Sequence, residues 1–276
     1  MNIRGLLDRH LIKKPLRRER LTRIMVRDRD CDIILMDHAI RVNTIKENGY
    51  FRASRIAAHS SLLRDEMIVL QHLMLFQKPG MTFIDIGANI GIYSIYMSDL
   101  INLYSNFSVE AFEVHPDTFN RLQVNALRCG FVAHHCGIGS LACNQEFVEG
   151  VVSHVATLSD RKNSYNVPER TFEMEIKRLD EFSFTGQIFL KIDVEGQEQD
   201  VLDGASGLFD KGLIDGVYID GYPHDSNVLQ ILNSYDFMFF DARSLKKTIP
   251  SFALLALRRE AYPDIAQNYS LESIHD

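Results

Sequence analysis

The stretch from Met81 to Ser94, MTFIDIGANIGIYS, constrains the fold of this chain more than any other. An apolar run from Met81 to Ile86, interrupted only by Thr82 and Asp85, has the length of a buried parallel strand. It ends in Asp85-Ile86-Gly87-Ala88-Asn89-Ile90-Gly91, after which Ile92, Ile95, Tyr96 and Met97 resume at helical spacing. Strand, glycine turn and helix in succession aim backbone N–H groups and a helix N-terminus at a ligand. Gly87 and Gly91 let the backbone approach that ligand and the strand beneath it. A dinucleotide fingerprint reads G-x-G-x-x-G, and here Asn89 occupies the place of the second glycine. That leaves less room for a pyrophosphate and suits a cofactor with an amino-acid end at the loop and a nucleoside beyond it.

Two further stretches carry chemistry. A second strand, Phe107 to Glu113, ends on an acid followed by Val114-His115-Pro116, with Pro116 starting the next helix. A carboxylate at the end of strand two can accept two hydrogen bonds from a ribose diol. A strand over Gln187 to Asp193 alternates Ile188, Leu190 and Ile192 with Phe189, Lys191 and Asp193. Lys191 and Asp193 therefore share one face near the carboxyl end of the strand, where open parallel sheets collect their active sites. A lysine in a buried strand is costly unless a carboxylate accompanies it, and Asp193 and Glu195 are the expected partners.

Asp85-x-Gly87-x-Asn89-x-Gly91 resembles the first motif of S-adenosylmethionine-dependent methyltransferases. Together with Leu190-Lys191-Ile192-Asp193-Val194-Glu195-Gly196 it resembles the FkbM family, whose members methylate hydroxyls on sugars and polyketides. The likeness spans about Glu66 to Asp220. It implies a Rossmann-like (class I methyltransferase) fold, a doubly wound, mostly parallel seven-stranded α/β sheet, with S-adenosylmethionine as cofactor. Glu113-Val-His-Pro116 matches the Glu-x-x-Pro usual in the family, and a family glutamate near the nucleotide falls in the region of Glu66. Where family members often carry glutamate at the end of strand five, this chain has Asp220, with a shorter reach.

On this reading Asp85, Gly87, Ala88, Asn89, Gly91, Glu113 and Val114 hold the cofactor. Gly137 and Ile138, in a small-residue turn ending at Ser140, border its adenine. Asp193 contacts the cofactor and contacts or deprotonates the acceptor hydroxyl. Lys191 orients that hydroxyl or tunes its pKa, and Glu195 binds substrate or the cofactor's amino group. Asp220 and Tyr222 face the acceptor, and His224 is a second candidate base. Asp193, Glu195 and Asp220 could also hold a hard divalent ion through oxygens, but three acids on one sheet edge equally describe a sugar site, and no metal is assigned.

The remaining elements follow from pattern. Cys31 to Arg52 alternates as a hairpin or two outside the main sheet. A helix capped at Ser60-Ser61 runs through Gln77, and another runs from Pro116 to Arg128, ended by Gly130. Leu141 to Leu158 reads as an added hairpin, Ser159 to Arg170 as a polar loop that shapes substrate choice, and Thr171 to Lys177 as a returning strand. A helix over Gln197 to Leu208, a strand over Ile214 to Asp220 and a helix over Asp225 to Tyr235 lead to two last, antiparallel strands near 236–241 and 252–257. The extension is bounded at residues 1–58 and the methyltransferase domain at 59–276.

With 276 residues, 46% of them hydrophobic, the chain can bury one large core. No apolar run spans a bilayer and no signal-peptide core follows the charged start. Four cysteines without metal spacing or a disulfide framework suit a reducing cytoplasm. The net charge of −7 argues against nucleic acid as partner, as does the lack of proline or a base-stacking aromatic after Asp193. The average hides an asymmetry: residues 1–29 carry ten Lys or Arg against three acids, leaving about −14 on the rest. Ile3, Leu6, Leu7 and Leu11 lie at helical spacing within it. Such a segment either packs as a solvated helix or lies on an anionic membrane face, which would place the protein at the inner surface of the membrane. A nucleotide-binding oxidoreductase, disfavoured by Asn89, and a non-catalytic nucleotide-binding module are the competing functions.

Overall fold

The computed structural model describes residues 29–35, 37–53, 61–149, 156–158 and 170–269. The chain divides into two compact units, Met1–His59 and Ser60–Asp276. In the first, β1 (Asp30–Leu35) and β2 (His38–Asn43) pair antiparallel, with Ile33 opposite Ile40. Ile33, Leu35, Ile40 and Val42 are buried and Ile34 is exposed, as strand alternation requires. One hairpin forms rather than two, because Asn48–Ala53 turns into a short helix, α1. The basic segment over residues 1–28 lies outside the described residues.

The second unit opens with α2 (Ser61–Met74), whose Val69, Leu70 and Leu73 are buried; it ends before Gln77. The chain then alternates strand and helix: β3 (Thr82–Ile86), α3 (Ile92–Ser98), β4 (Ser108–Phe112), α4 (Pro116–Cys129) and β5 (Val132–His134). Every residue of β3 is buried, including Asp85, which is why its sequence runs apolar rather than alternating. Gly130 ends α4 in the left-handed conformation, at φ 81°.

Here the chain departs from a simple reverse turn. Gly137–Ile138 forms a two-residue strand, β6, that pairs in parallel with β9 (Arg170–Lys177) across Gly137↔Ile176 and Ile138↔Lys177. With β7 (Cys143–Glu149) and β8 (Ala156–Leu158), which form the expected hairpin, these strands make a second, four-stranded sheet in the order β6-β9-β7-β8. The polar loop read at Ser159 to Arg170 falls almost wholly outside the described residues.

The main sheet resumes with β10 (Ile188–Ile192), α5 (Glu198–Gly204), α6 (Ser206–Asp210), β11 (Ile214–Gly221), α7 (Val228–Ser234), β12 (Phe237–Asp241), β13 (Phe252–Arg258) and α8 (Pro263–Ala266). The order is β12-β13-β11-β10-β3-β4-β5, a mixed seven-stranded sheet. Of the two last strands only β13 runs against the rest, since it pairs antiparallel with both β11 and β12. Ile84, Ile86, Leu190, Ile192, Val217 and Ile219 face one core with Val201 and Leu202 of α5. Phe83 and Phe189 stack 6.1 Å apart, and Gly216 makes room, since a Cβ there would lie 2.3 Å from the Phe189 ring. Among the described residues no helix is long and apolar enough to cross a membrane.

The expected single helix after Gln197 breaks at Ala205 into α5 and α6. Close by, a Cβ on Gly204 would sit 2.1 Å from the carbonyl oxygen of Gly139, just beyond β6. Gly204→Ala must therefore push α5 off that backbone. Overpacking of this kind costs about 1–3 kcal/mol, which chemical denaturation will read as a lower midpoint; an unchanged midpoint would show the contact is slack.

Candidate active site

The glycine loop leaves β3 over the end of β4. The N–H groups of Gly87 and Ala88 both donate to the Phe112 carbonyl, at 3.0 and 2.9 Å. Gly87 has φ 72°, and a Cβ on it would come within 1.9 Å of the Asp193 carbonyl oxygen. The protein's own packing thus demands glycine there. Gly91, at φ 86°, serves a different contact: a Cβ would lie 2.6 Å from Leu122 Cδ1 of α4. Asn89 also sits in the left-handed region, at φ 53°, where asparagine is among the better tolerated side chains. Its Oδ1 is buried without a hydrogen-bond partner.

Glu113 follows β4. Its Oε2 accepts the N–H of Asn89 at 2.9 Å and its Oε1 that of His115 at 2.8 Å, so both oxygens are held in place. Burial pushes its carboxyl up to about 7, against the pull of those two N–H groups.

Lys191 is 3% exposed, and its nearest acid is one the sequence pattern did not pair with it. Nζ lies 3.0 Å from Asp85 Oδ1 and 3.6 Å from Asp193 Oδ2, and it donates to the Gly87 carbonyl at 3.0 Å. Glu195 is not among its ion-pair partners. Parallel pairing of β10 with β3 places Lys191 opposite Asp85, so strand register supplies the counter-ion. Asp85 Oδ2 accepts from Ser94 Oγ at 2.8 Å, which ties the same carboxylate to α3. Burial works against the ammonium, but Asp85 and then Asp193 outweigh it and hold Lys191 above the ordinary lysine range.

Beyond β10 the chain turns through Glu195, at φ 53°, and Gly196, whose N–H donates to Glu198 Oε1 at 2.9 Å. Desolvation, then Asp193, Glu198 and Asp220, push Glu195 up to about 7. Desolvation first and the neighbouring acids Asp220 and Asp85 also raise Asp193, against the pull of Lys191. On β11, Tyr218 donates to Asp220 Oδ1 at 2.8 Å, and the Tyr218 ring stacks on Tyr93 at 5.9 Å. Tyr222 turns its hydroxyl to the Pro250 carbonyl at 3.0 Å, and His224 is exposed. Glu66 stands close enough to Tyr93 to help raise its phenol, after burial.

A cleft of about 730 Å³ opens over these carboxyl ends. Of the residues expected to hold cofactor or substrate, Gly87, Asn89, Glu113, Val114, Gly137, Ile138, Asp193 and Glu195 line it. Asp85 and Lys191 lie beneath its floor, Ala88 and Gly91 face inward, and Asp220, Tyr222 and His224 stand beyond its edge. Pattern reading missed Ile86, Phe112, Cys136, Phe147, Ile176, Val194 and Gln197 on the wall. Phe147 and Ile176 come from the second sheet, whose packing on the main sheet no local motif announces. Three carboxylates and no lysine, arginine or histidine line the cleft among the described residues. Among the described residues no three potential ligands are grouped to hold a metal ion.

The family described as methyltransferase FkbM domain matches residues 85–239. Methyltransferase 1 of Beauveria bassiana (strain ARSEF 2860) is 30% identical over 164 residues, covering 50% of this chain and 63% of its own length. Among solved structures, methyltransferase FkbM from Methylobacillus flagellatus KT is 19% identical, covers 65% of this chain and 43% of its own, and aligns with a TM-score of 0.42. A TehB-like SAM-dependent methyltransferase from Corynebacterium glutamicum is 13% identical over 77% of this chain and 95% of its own, with a TM-score of 0.43. The chain thus spans less than two thirds of the curated relative and under half of the first of these structures.

Lys191→Met leaves Asp85 as a buried, uncompensated charge. The expected loss is about 3–5 kcal/mol, with Asp85→Asn in the same chain restoring much of it. Denaturation of the two single variants and the double variant checks this; additive losses would mean the two side chains do not act as a pair.

Proposed function

The chain belongs to the FkbM methyltransferase family, and from that premise we propose that it transfers a methyl group from S-adenosylmethionine to a hydroxyl of a sugar, glycan or polyketide-like acceptor. The charge of the cleft carries this reading. A dinucleotide or a phosphorylated ligand calls for cations or free N–H groups, whereas a described lining of three carboxylates and no basic side chain suits a ligand bearing a sulfonium and an ammonium. Lys191 offsets them only in part, because its nearest carboxylate is Asp85, beneath the cleft.

The residues fit such a nucleoside. Glu113, fixed by two N–H groups, would accept the ribose hydroxyls with its remaining lone pairs. The unpartnered Oδ1 of Asn89 offers one more acceptor on the same wall. Val114 and Ile138 would flank the base, and Glu195 would face the amino group. Bound, the cofactor supplies a methyl that is already electrophilic. The protein's task is to align the acceptor oxygen and take its proton.

Asp193 is our first choice for that proton. It lies on the wall, its carboxyl is raised above its ordinary value, and Lys191 stands 3.6 Å behind it as a fixed positive charge. A general base contributes roughly 10²–10⁴-fold, and a sugar hydroxyl, being a weak acid, needs it. Asp220 and Tyr222 stand on the acceptor side of Asp193, and His224 is the second candidate base. Tyr222, with its hydroxyl engaged at Pro250, would meet the acceptor with its ring.

Calorimetry tests the cofactor. S-adenosylhomocysteine should bind and NADH should not; tight binding of the dinucleotide alone overturns the assignment. Affinity for S-adenosylmethionine should rise with pH between 6 and 8. Glu113 and Glu195 titrate near 7, and only their ionised forms attract a cation, so affinity falls below 7 by up to about tenfold per pH unit for each linked proton. Glu113→Gln should make that dependence shallower, and Glu195→Gln should remove the remainder. For the chemistry, Asp193→Asn should keep nucleoside affinity and lose turnover in a labelled-methyl assay over glycan extracts, sugar nucleotides and small polyketides. Unchanged turnover would remove Asp193 from the mechanism.

A further inference from the structure

The acids that end β10 and β11 are supported in the same way. Parallel pairing sets Asp85, Lys191 and Tyr218 in one row across β3, β10 and β11. Asp193 and Asp220 follow Lys191 and Tyr218 by two residues, so strand alternation puts them on the same face as that row. From α3, Tyr93 covers the row: the Lys191 ammonium lies 5.3 Å from the centre of its ring, and the Tyr218 ring stacks on it at 5.9 Å. Each rim acid is therefore backed by a buried donor two positions earlier in the chain. Behind Asp193 stands the charged Lys191, at 3.6 Å. Behind Asp220 stands a neutral hydroxyl, that of Tyr218, which donates to Oδ1 at 2.8 Å.

Tyr218 is 1% exposed and lines no part of the cleft. A buried phenol needs a hydrogen-bond partner, and here that partner is an acid at the rim. Asp220 is partly buried, and among the described residues no ion pair and no second hydrogen bond engages it. One of its oxygens is thus held and the other is left open. Asp220 also lies close to the wall acids: after desolvation, it is one of the charges that raise Asp193 and Glu195. Two carboxylates at one rim with unlike surroundings suit unlike tasks. Asp193, beside a fixed cation, is placed to take a proton. Asp220, beside a neutral donor, keeps an oxygen free to accept a hydrogen bond from the acceptor.

We propose that Tyr218 is a positioning residue for methyl transfer: its hydroxyl fixes the Asp220 carboxylate, which in turn orients the acceptor beside Asp193. The proposal rests on the methyltransferase reading and adds to it a residue that touches neither ligand. A carboxylate free to rotate offers the acceptor a spread of geometries, and a donor on one oxygen narrows that spread before binding. Misplacing a reacting group by about 1 Å can cost on the order of 10²-fold in rate. If the hydrogen bond served the fold alone, removing it would cost stability and leave turnover per folded molecule unchanged.

Tyr218→Phe removes the donor and keeps the ring on Tyr93. The unaltered protein, Tyr218→Phe, Asp220→Ala and the double variant are compared by initial rates of labelled-methyl transfer onto one acceptor pool, a glycan extract, sugar nucleotide or small polyketide that the unaltered protein methylates. The pool is held at limiting concentration, so the rate reads kcat/KM, and S-adenosylhomocysteine calorimetry counts the folded sites in each variant. Tyr218→Phe should lower the rate about tenfold, the loss expected of one hydrogen bond to a charged group, with S-adenosylhomocysteine affinity within about twofold. Added to Asp220→Ala, the same change should alter the rate by less than about twofold, because its effect passes through the carboxylate. An unchanged rate in Tyr218→Phe, an equal fall in both backgrounds, or a matching loss of nucleoside affinity overturns the positioning role and leaves the methyltransferase reading standing. Absence of transfer by the unaltered protein onto every pool strikes that reading itself, and the proposal with it.

Discussion

The pairing of Lys191 with Asp85 is the interaction on which the site depends. Neither group tolerates burial alone, and the two meet because parallel strands β3 and β10 align them in register. The same ammonium donates to the Gly87 carbonyl, and the same carboxylate accepts from Ser94 at the start of α3. One ion pair therefore fixes two strands, the glycine loop and the helix after it. Gly87 then lies against the carbonyl of Asp193, so the end of β10 and the glycine loop set each other's position.

Above that neutralised floor the charge is one-sided. Glu113, Asp193 and Glu195 face the cleft with Lys191 below them; desolvation raises all three carboxyls, and neighbouring acids add to it. Raised acids gathered in a cleft make it a candidate site. Asn89 and Glu195, both on the wall, hold left-handed backbone without being glycine. On the proposed function, a positively charged ligand would relieve the repulsion among those acids. This is the physical content behind membership in a family of methyltransferases whose cofactor is a sulfonium.

Much of this was legible before any coordinates. Strand, loop and helix around Gly87 follow from an apolar run cut by glycine, and Glu113 from an acid followed by a helix-starting proline. Other features were out of reach of local pattern. Gly137-Ile138 reads as a turn because small residues turn easily, yet it pairs as a strand with residues almost forty positions away. Tyr222 reads as a residue facing the acceptor, and only the structure shows its hydroxyl donating to the Pro250 carbonyl. Leu127 falls in the apolar register of α4 and is 82% exposed, while Asn125 is buried and donates to the Ile90 carbonyl at 2.9 Å.

Sequence by itself determined the order of strands and helices, the loop that needs glycine, and the acids that end β4 and β10. Each depends on the periodicity and backbone freedom of a few neighbouring residues, and those are local properties. Tertiary structure alone decided which acid neutralises Lys191, that a second sheet closes one wall of the cleft, and that Asp220, Tyr222 and His224 stand outside it. These are contacts between residues far apart in the chain, and only register and packing between strands bring them together.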